Sequence, residues 1–126
     1  MKKEEIIQRL NALGLDKSQY WVITGSAMVL HDLREQTHDI DLGCTGTLAD
    51  ELQQRGVRFS LSEDGSRRFH LGQDIELFEN WLFDQVQMLD GVPVISLKGL
   101  LEMKRQLGRE KDWKDIRLIE DSLAGK

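Results

Sequence analysis

The chain has 126 residues, with 17 Lys and Arg against 22 Asp and Glu, so its formal net charge is −5. Hydrophobic residues make up 40% and charged residues 31%, which is typical of one soluble globular domain, predicted here to span residues 1–126. The single cysteine excludes an intrachain disulfide framework and a Cys-rich zinc module, and the acidic balance disfavours a protein that coats duplex DNA.

The first half of the chain alternates predicted helices and strands. Apolar residues at helical spacing predict a helix over 2–13 that ends at Gly14. The β-rich run from Tyr20 to Thr24 predicts a buried strand, and a buried helix follows from Ala27 to Leu33. A strand over 39–44 and a helix over 47–55 come next, and Thr47 is the expected cap of that helix.

The second half is predicted to be mainly β-structure before it turns helical. Strands are expected over 57–61, 67–71, 73–79 and 85–89, with turns at Asp64-Gly65 and Asp90-Gly91. Ser96 caps a predicted helix that reaches Leu107, and a final helix covers 110–123. This order predicts an α+β domain, in which helices pack on a mixed β-sheet and two of them close the chain.

The turn between the first predicted strand and the second predicted helix suits an anionic ligand. Gly25 has no Cβ, so a ligand can approach its backbone closely. Ser26 lies where free N–H groups at a helix start favour a phosphate. The dipeptide alone is a weak signal, because most Gly-Ser pairs simply begin a helix.

Two aspartates share one face of a predicted strand. Asp39 and Asp41 are two residues apart, so their carboxylates project to the same side, while Ile40 and Leu42 project to the other. Two such charges repel unless a cation lies between them, and Mg²⁺ is the hard cation that carboxylates usually hold together with substrate phosphates. A solvated pair of surface acids is the alternative.

A third acid lies on a later strand with the same alternation. Asp74 and Glu76 share one face of the predicted strand over 73–79. If this strand lies beside the Asp39–Asp41 strand, Glu76 completes a three-carboxylate cluster that could hold two metal ions. For Asp74, a solvent-exposed role is favoured.

These residues resemble the nucleotidyltransferase superfamily with the DNA polymerase β-like fold. The strings Thr24-Gly25-Ser26-Ala27 and Thr37-His38-Asp39-Ile40-Asp41-Leu42 are similar to its small bacterial branches. Those branches include antibiotic-modifying nucleotidyltransferases and the nucleotidyltransferase toxins of abortive-infection systems. The run from Ser96 to Asp115 looks like their closing helical pair.

The resemblance implies a nucleotidyltransferase that moves a nucleoside monophosphate (NMP) from a nucleoside triphosphate (NTP) to an acceptor hydroxyl. It implies that Asp39, Asp41 and Glu76 are catalytic and bind Mg²⁺ or Mn²⁺, and that Gly25 and Ser26 face the triphosphate. The family usually has Asp at the third position, so Glu76 is a departure. The acceptor-site helices of the antibiotic-modifying relatives also have no counterpart here.

Two basic residues complete the predicted nucleotide site. Arg34 follows the Gly-Ser helix and could reach a phosphate, although a solvated helix end is the alternative; Lys104 is a phosphate neighbour by resemblance. Because the chain is small, a protein partner could supply the acceptor site. The alternative interpretation is a non-catalytic protein of this fold that acts as an antitoxin or scaffold through a partner protein.

A cytoplasmic location is expected. The N-terminal residues lack the apolar core of a signal peptide. Nowhere do about 18 apolar residues follow one another, so no membrane association is predicted.

Overall fold

A seven-stranded mixed sheet forms the centre of the structure, a computed structural model that describes residues 1–125 and so leaves Lys126 of the predicted domain outside. The strands are β1 (Tyr20–Ile23), β2 (Ile40–Cys44), β3 (Phe59–Leu61), β4 (Arg67–Leu71), β5 (Ile75–Glu79), β6 (Val86–Leu89) and β7 (Val92–Ile95). The helices are α1 (Lys3–Leu13), α2 (Thr24–Leu30), α3 (Gly46–Gln54), α4 (Leu97–Leu107) and α5 (Trp113–Ala124), and a 3₁₀ turn (Glu110–Asp112) joins the last two. This architecture confirms the predicted fold class.

The strand order, β3-β4-β5-β2-β1-β7-β6, puts the Asp-bearing strand in the middle of the sheet. β2 pairs antiparallel with β1 and parallel with β5, and β1 also pairs parallel with β7. All four residues of β1 are buried, as a continuous apolar run in a central strand predicts. Helix α2 packs on this centre through contacts with β1, β2, β7 and α4.

Several expected helix ends are found. Gly14 and Gly108 adopt left-handed conformations after α1 and α4. Ser96 caps α4 through a hydrogen bond from the Gly99 backbone N–H at 3.0 Å. The predicted cap of α3 was wrong by two residues, because the hydroxyl of Thr45, not that of Thr47, accepts a hydrogen bond from the backbone N–H of Leu48.

The largest departure from the predicted elements is strand β7, because no strand was predicted between the Asp90-Gly91 turn and the helix that Ser96 caps. The sequence gives Pro93 inside this segment, and a proline that cannot donate to a ladder weakens the strand signal. The predicted Asp90-Gly91 turn nevertheless brings β6 and β7 together, with both residues at positive φ (52° and 77°) as a tight hairpin requires. Thr24 also differs, since it begins α2 at φ 54° rather than ending β1.

No helix within residues 1–125 is long and apolar enough to cross a bilayer.

Candidate functional site

A cavity of about 720 Å³ opens where the middle of the sheet meets the C-terminal helices. The three predicted metal ligands line one part of it: Asp39, Asp41 and Glu76. Basic side chains line other parts: Arg34, Arg68, Lys104, Arg109 and Lys111. Acids that attract cations and bases that attract phosphates therefore share one space.

Pairing of β2 with β5 brings the acids together. Asp41 and Glu76 are direct partners in this parallel pair, so the adjacency that the three-carboxylate cluster requires is found. Asp39 lies one residue before β2 and lines the same cavity. Burial raises the pKa of Asp41, and the negative charges of Asp39 and Glu76 raise it further. The three carboxylates thus interact, and a cation between them would relieve their repulsion.

The hydroxyl of Thr24 holds Asp41 in place. Its Oγ1 donates a hydrogen bond of 2.7 Å to Oδ2 of Asp41, which partly offsets the rise in the pKa of that carboxyl. Thr24 has a positive φ of 54° at the point where the chain passes from β1 into α2. A non-glycine residue in this backbone region is uncommon and often lies at a functional site.

Glu76 already has a cationic partner. Arg68, on the neighbouring strand β4, donates a hydrogen bond to its carboxylate, and Nδ1 of His70 lies 3.7 Å from the same oxygen. The bond from Arg68 holds the pKa of Glu76 below its usual range, although burial opposes this. No group of three or more His, Cys, Asp and Glu side chains within residues 1–125 is arranged to hold a metal ion.

The donor set nevertheless fits a hard divalent cation at Asp39 and Asp41. Both supply carboxylate oxygens to one cavity, where burial first, and the charges of Asp39 and Glu76 second, raise the pKa of Asp41. Glu76 fits as a third ligand only once Arg68 has moved away from it. The role of all three as metal ligands stays a prediction.

The two residues of the Gly-Ser turn occupy different positions. Gly25 lines the cavity, and a Cβ there would lie 2.6 Å from Nη1 of Arg34. Ser26 is buried, and its hydroxyl donates to the carbonyl of Ile23 at 2.9 Å, which ties α2 to β1. Contact between these residues and a triphosphate stays a prediction.

Lys104 and Arg34 belong to an ion-pair network that fastens the C-terminal helices to the rest of the fold. Nζ of Lys104 lies 3.2 Å from carboxylates of both Asp112 and Asp115. Arg34 reaches Asp115 at 2.5 Å, and Arg109 reaches Asp112 at 2.6 Å. Both predicted phosphate neighbours thus have carboxylate partners, and their contact with a phosphate stays a prediction.

Burial and charge act in opposite directions on Asp112. Burial alone would raise its pKa, but the hydrogen bond from Arg109 and the charge of Lys104 hold the pKa below its usual value. Asp112 therefore stays ionised at the cavity wall.

Asp74 lies outside the cavity, as expected. Arg9 of α1 binds both of its carboxylate oxygens at 2.6 Å. Sequence reasoning favoured solvent exposure for Asp74 and missed this partner, which is 65 positions away in the chain.

Comparison with known proteins supports the fold. No protein-family model and no curated protein matches the sequence. The crystal structure of a protein from Thermotoga maritima, named as a putative nucleotidyltransferase, superposes with a TM-score of 0.63 at 19% sequence identity. The match covers 100% of this chain and 97% of the other chain, so the two share one fold over their whole length.

Proposed function

We propose that the protein is a metal-dependent nucleotidyltransferase that moves an NMP from an NTP to an acceptor hydroxyl. The observation that carries the proposal is the pairing of Asp41 with Glu76 beside Asp39, in a cavity that basic side chains also line. The fold shared with the Thermotoga maritima protein supports the same class of reaction.

Asp39 and Asp41 would hold Mg²⁺ or Mn²⁺, joined by Glu76 after release of Arg68. When bound, the ion neutralises phosphate charge and favours attack by a hydroxyl. In the transfer, the acceptor oxygen bonds to the α-phosphorus while the bond from that phosphorus to the pyrophosphate oxygen breaks. Pyrophosphate then leaves, and the hydroxyl proton passes to a carboxylate of the cavity.

The residues of the protein would contribute orientation and charge. Thr24 keeps Asp41 directed into the cavity through its 2.7 Å hydrogen bond. Lys111 is exposed at the rim, so its charge is open to the outer phosphates. Lys104 is held more deeply between two carboxylates and would act by keeping the helical wall in position.

Calorimetric titration with Mg-ATP, Mg-GTP, Mg-CTP and Mg-UTP tests the proposal. The wild type should bind at least one of them, and Asp39→Asn and Asp41→Asn should each weaken binding at least tenfold. Asp74→Asn is the matched control, because that acid lies just before β5 but outside the cavity. Binding that is unchanged in both cavity variants, or absent from the wild type, would contradict the metal site.

Turnover is measured separately, because the acceptor is unknown. Release of pyrophosphate from the same NTPs is followed with small hydroxyl compounds, with an RNA end and with cell-extract protein as acceptors. A protein partner could complete the acceptor site, and adding purified interacting proteins to the assay covers that case.

The ion pair between Arg68 and Glu76 favours a second candidate function. An arginine that neutralises the third carboxylate suits a non-catalytic protein that acts through a partner, as an antitoxin or scaffold does. Affinity purification from the source cells distinguishes the two functions. The non-catalytic function requires a stable protein partner that co-purifies with the wild type and equally with the Asp39→Asn/Asp41→Asn double variant. It also requires that the protein bind no nucleotide.

A further inference from the structure

An aromatic pair extends the carboxylate side of the cavity. Phe78 lies two residues beyond Glu76 on β5, so both project to the same face of the sheet. Trp81 follows just after the strand, and the two ring centroids are 5.1 Å apart at a tilt of 56°. Both rings are partly exposed and line the cavity.

The backbone of Trp81 is held by a second tryptophan. Nε1 of the buried Trp21 donates a hydrogen bond of 2.9 Å to the backbone carbonyl of Trp81. The Trp21 ring reaches it across β2 at Gly43, where any Cβ would overlap that ring and lie 2.8 Å from the same carbonyl. This contact fixes the backbone of Trp81 and leaves the ring of Trp81 at the cavity.

The spacing from acids to rings matches the layout of a nucleotide. Gly43 and Phe78 are register partners, and each lies two residues beyond its neighbour in the Asp41 and Glu76 pair, on the same face of the sheet. Two strand residues span roughly 6.6 Å. If the carboxylates face the α-phosphate, the Phe78 ring is therefore about one ribose away from it, and the Trp81 ring lies beside Phe78. Flat aromatic faces at that distance suit a nucleobase.

We infer that Phe78 and Trp81 form the platform on which the base of the NTP stacks. This inference rests on the proposed function. Arg68 also contacts the platform, since its guanidinium lies 5.1 Å from the centre of the Phe78 ring. Every base has a π-face, so the platform accepts all four NTPs with affinities within about tenfold of one another.

The test compares nucleotides with inorganic tripolyphosphate, which has the charge of an NTP but no base. Calorimetry gives the affinity of each Mg²⁺ complex for the wild type, Phe78→Leu and Trp81→Leu. Stacking of one base on an aromatic ring predicts a loss of nucleotide affinity of about 5- to 150-fold in each variant. Affinity for tripolyphosphate should stay within about twofold of the wild-type value.

Trp81→Leu keeps the backbone carbonyl that Trp21 binds, and circular dichroism melts check that each variant is folded. Trp113→Leu is the control, because that tryptophan is 65% exposed and does not line the cavity. Trp113→Phe gives a second readout that leaves both platform residues unchanged. In this variant Mg-NTP should quench the remaining tryptophan fluorescence, and Mg-tripolyphosphate should not.

Outcomes separate this inference from the function on which it rests. Nucleotide affinities that stay unchanged in both platform variants, or that fall in parallel with tripolyphosphate affinity, would overturn the platform and leave the nucleotidyltransferase proposal standing. A wild type that binds neither nucleotides nor tripolyphosphate would overturn both.

Discussion

The buried ion pairs around Lys104 give the sharpest prediction about stability. The Lys104 side chain is 4% exposed, and its partners Asp112 and Asp115 are 3% and 10% exposed. Lys104→Met keeps most of the apolar stem but removes the charge. The two carboxylates then remain buried beside one fewer cation, which is the costly way to break a buried pair.

The size of the loss follows from the partners that remain. Breaking a buried pair by removing one partner costs about 3–5 kcal/mol. Asp112 keeps Arg109 at 2.6 Å and Asp115 keeps Arg34 at 2.5 Å, so the expected loss in the free energy of unfolding lies at the lower end, about 3 kcal/mol. For a domain of this size, that loss lowers the melting temperature by roughly 10–15 °C.

Urea unfolding followed by circular dichroism measures the loss, with Lys98→Met as the control. Lys98 is exposed on the same helix, so its substitution should change stability by less than about 0.5 kcal/mol. Adding Asp112→Asn to Lys104→Met should cost less than the sum of the two single changes, because the two residues share one contact. A Lys104→Met loss below about 1 kcal/mol, or strict additivity, would refute the electrostatic reasoning.

Three further predictions follow from other contacts. Gly43→Ala should destabilise the fold by about 1–3 kcal/mol in urea unfolding, because its Cβ overlaps the Trp21 ring, whereas Gly46→Ala, where the nearest atom lies 3.7 Å away, should be nearly neutral; equal effects would contradict the close approach. Asp41→Asn should stabilise the metal-free protein by about 0.5–2 kcal/mol at pH 7, because it removes a buried, repelled charge and can keep the Thr24 bond. Since the pKa of Asp41 is raised on folding, the wild type gains stability as the pH falls through that pKa, so the advantage of the variant should vanish in acid; an advantage that persists below the ordinary Asp pKa would count against this. Asp74→Asn should cost at most about 1 kcal/mol despite its two 2.6 Å bonds, because Asp74 and Arg9 are both about one-third exposed; a larger loss in thermal melts would show that this ion pair is more than a surface contact.

The fold class and the shared faces of the acids could both be predicted from the sequence, because both depend on local patterns of residues. Alternation along a strand is local, so it predicted that Asp39 and Asp41 share a face and that Glu76 shares one with Asp74. The resemblance then implied that Glu76 joins the two aspartates, on the condition that the two strands lie side by side. The α+β class is confirmed, and β2 and β5 do pair, with Asp41 opposite Glu76.

What the sequence could not predict depends on contacts between distant positions. Arg68 reaches Glu76 only because β4 and β5 pair antiparallel, and the register of that hairpin sets which residue faces which. Arg34 meets Asp115 across 81 positions. The period-2 pattern of β4 could have indicated that Arg68 and His70 share a face, but not which acid they would meet.

The contact between Arg68 and Glu76 bears on how a metal ion would enter the cavity. An internal cation already neutralises the Glu76 carboxylate. A metal ion that uses Glu76 as a ligand must therefore compete with a tethered guanidinium. The apparent affinity for metal would then be lowered by the fraction of molecules in which that side chain still covers Glu76.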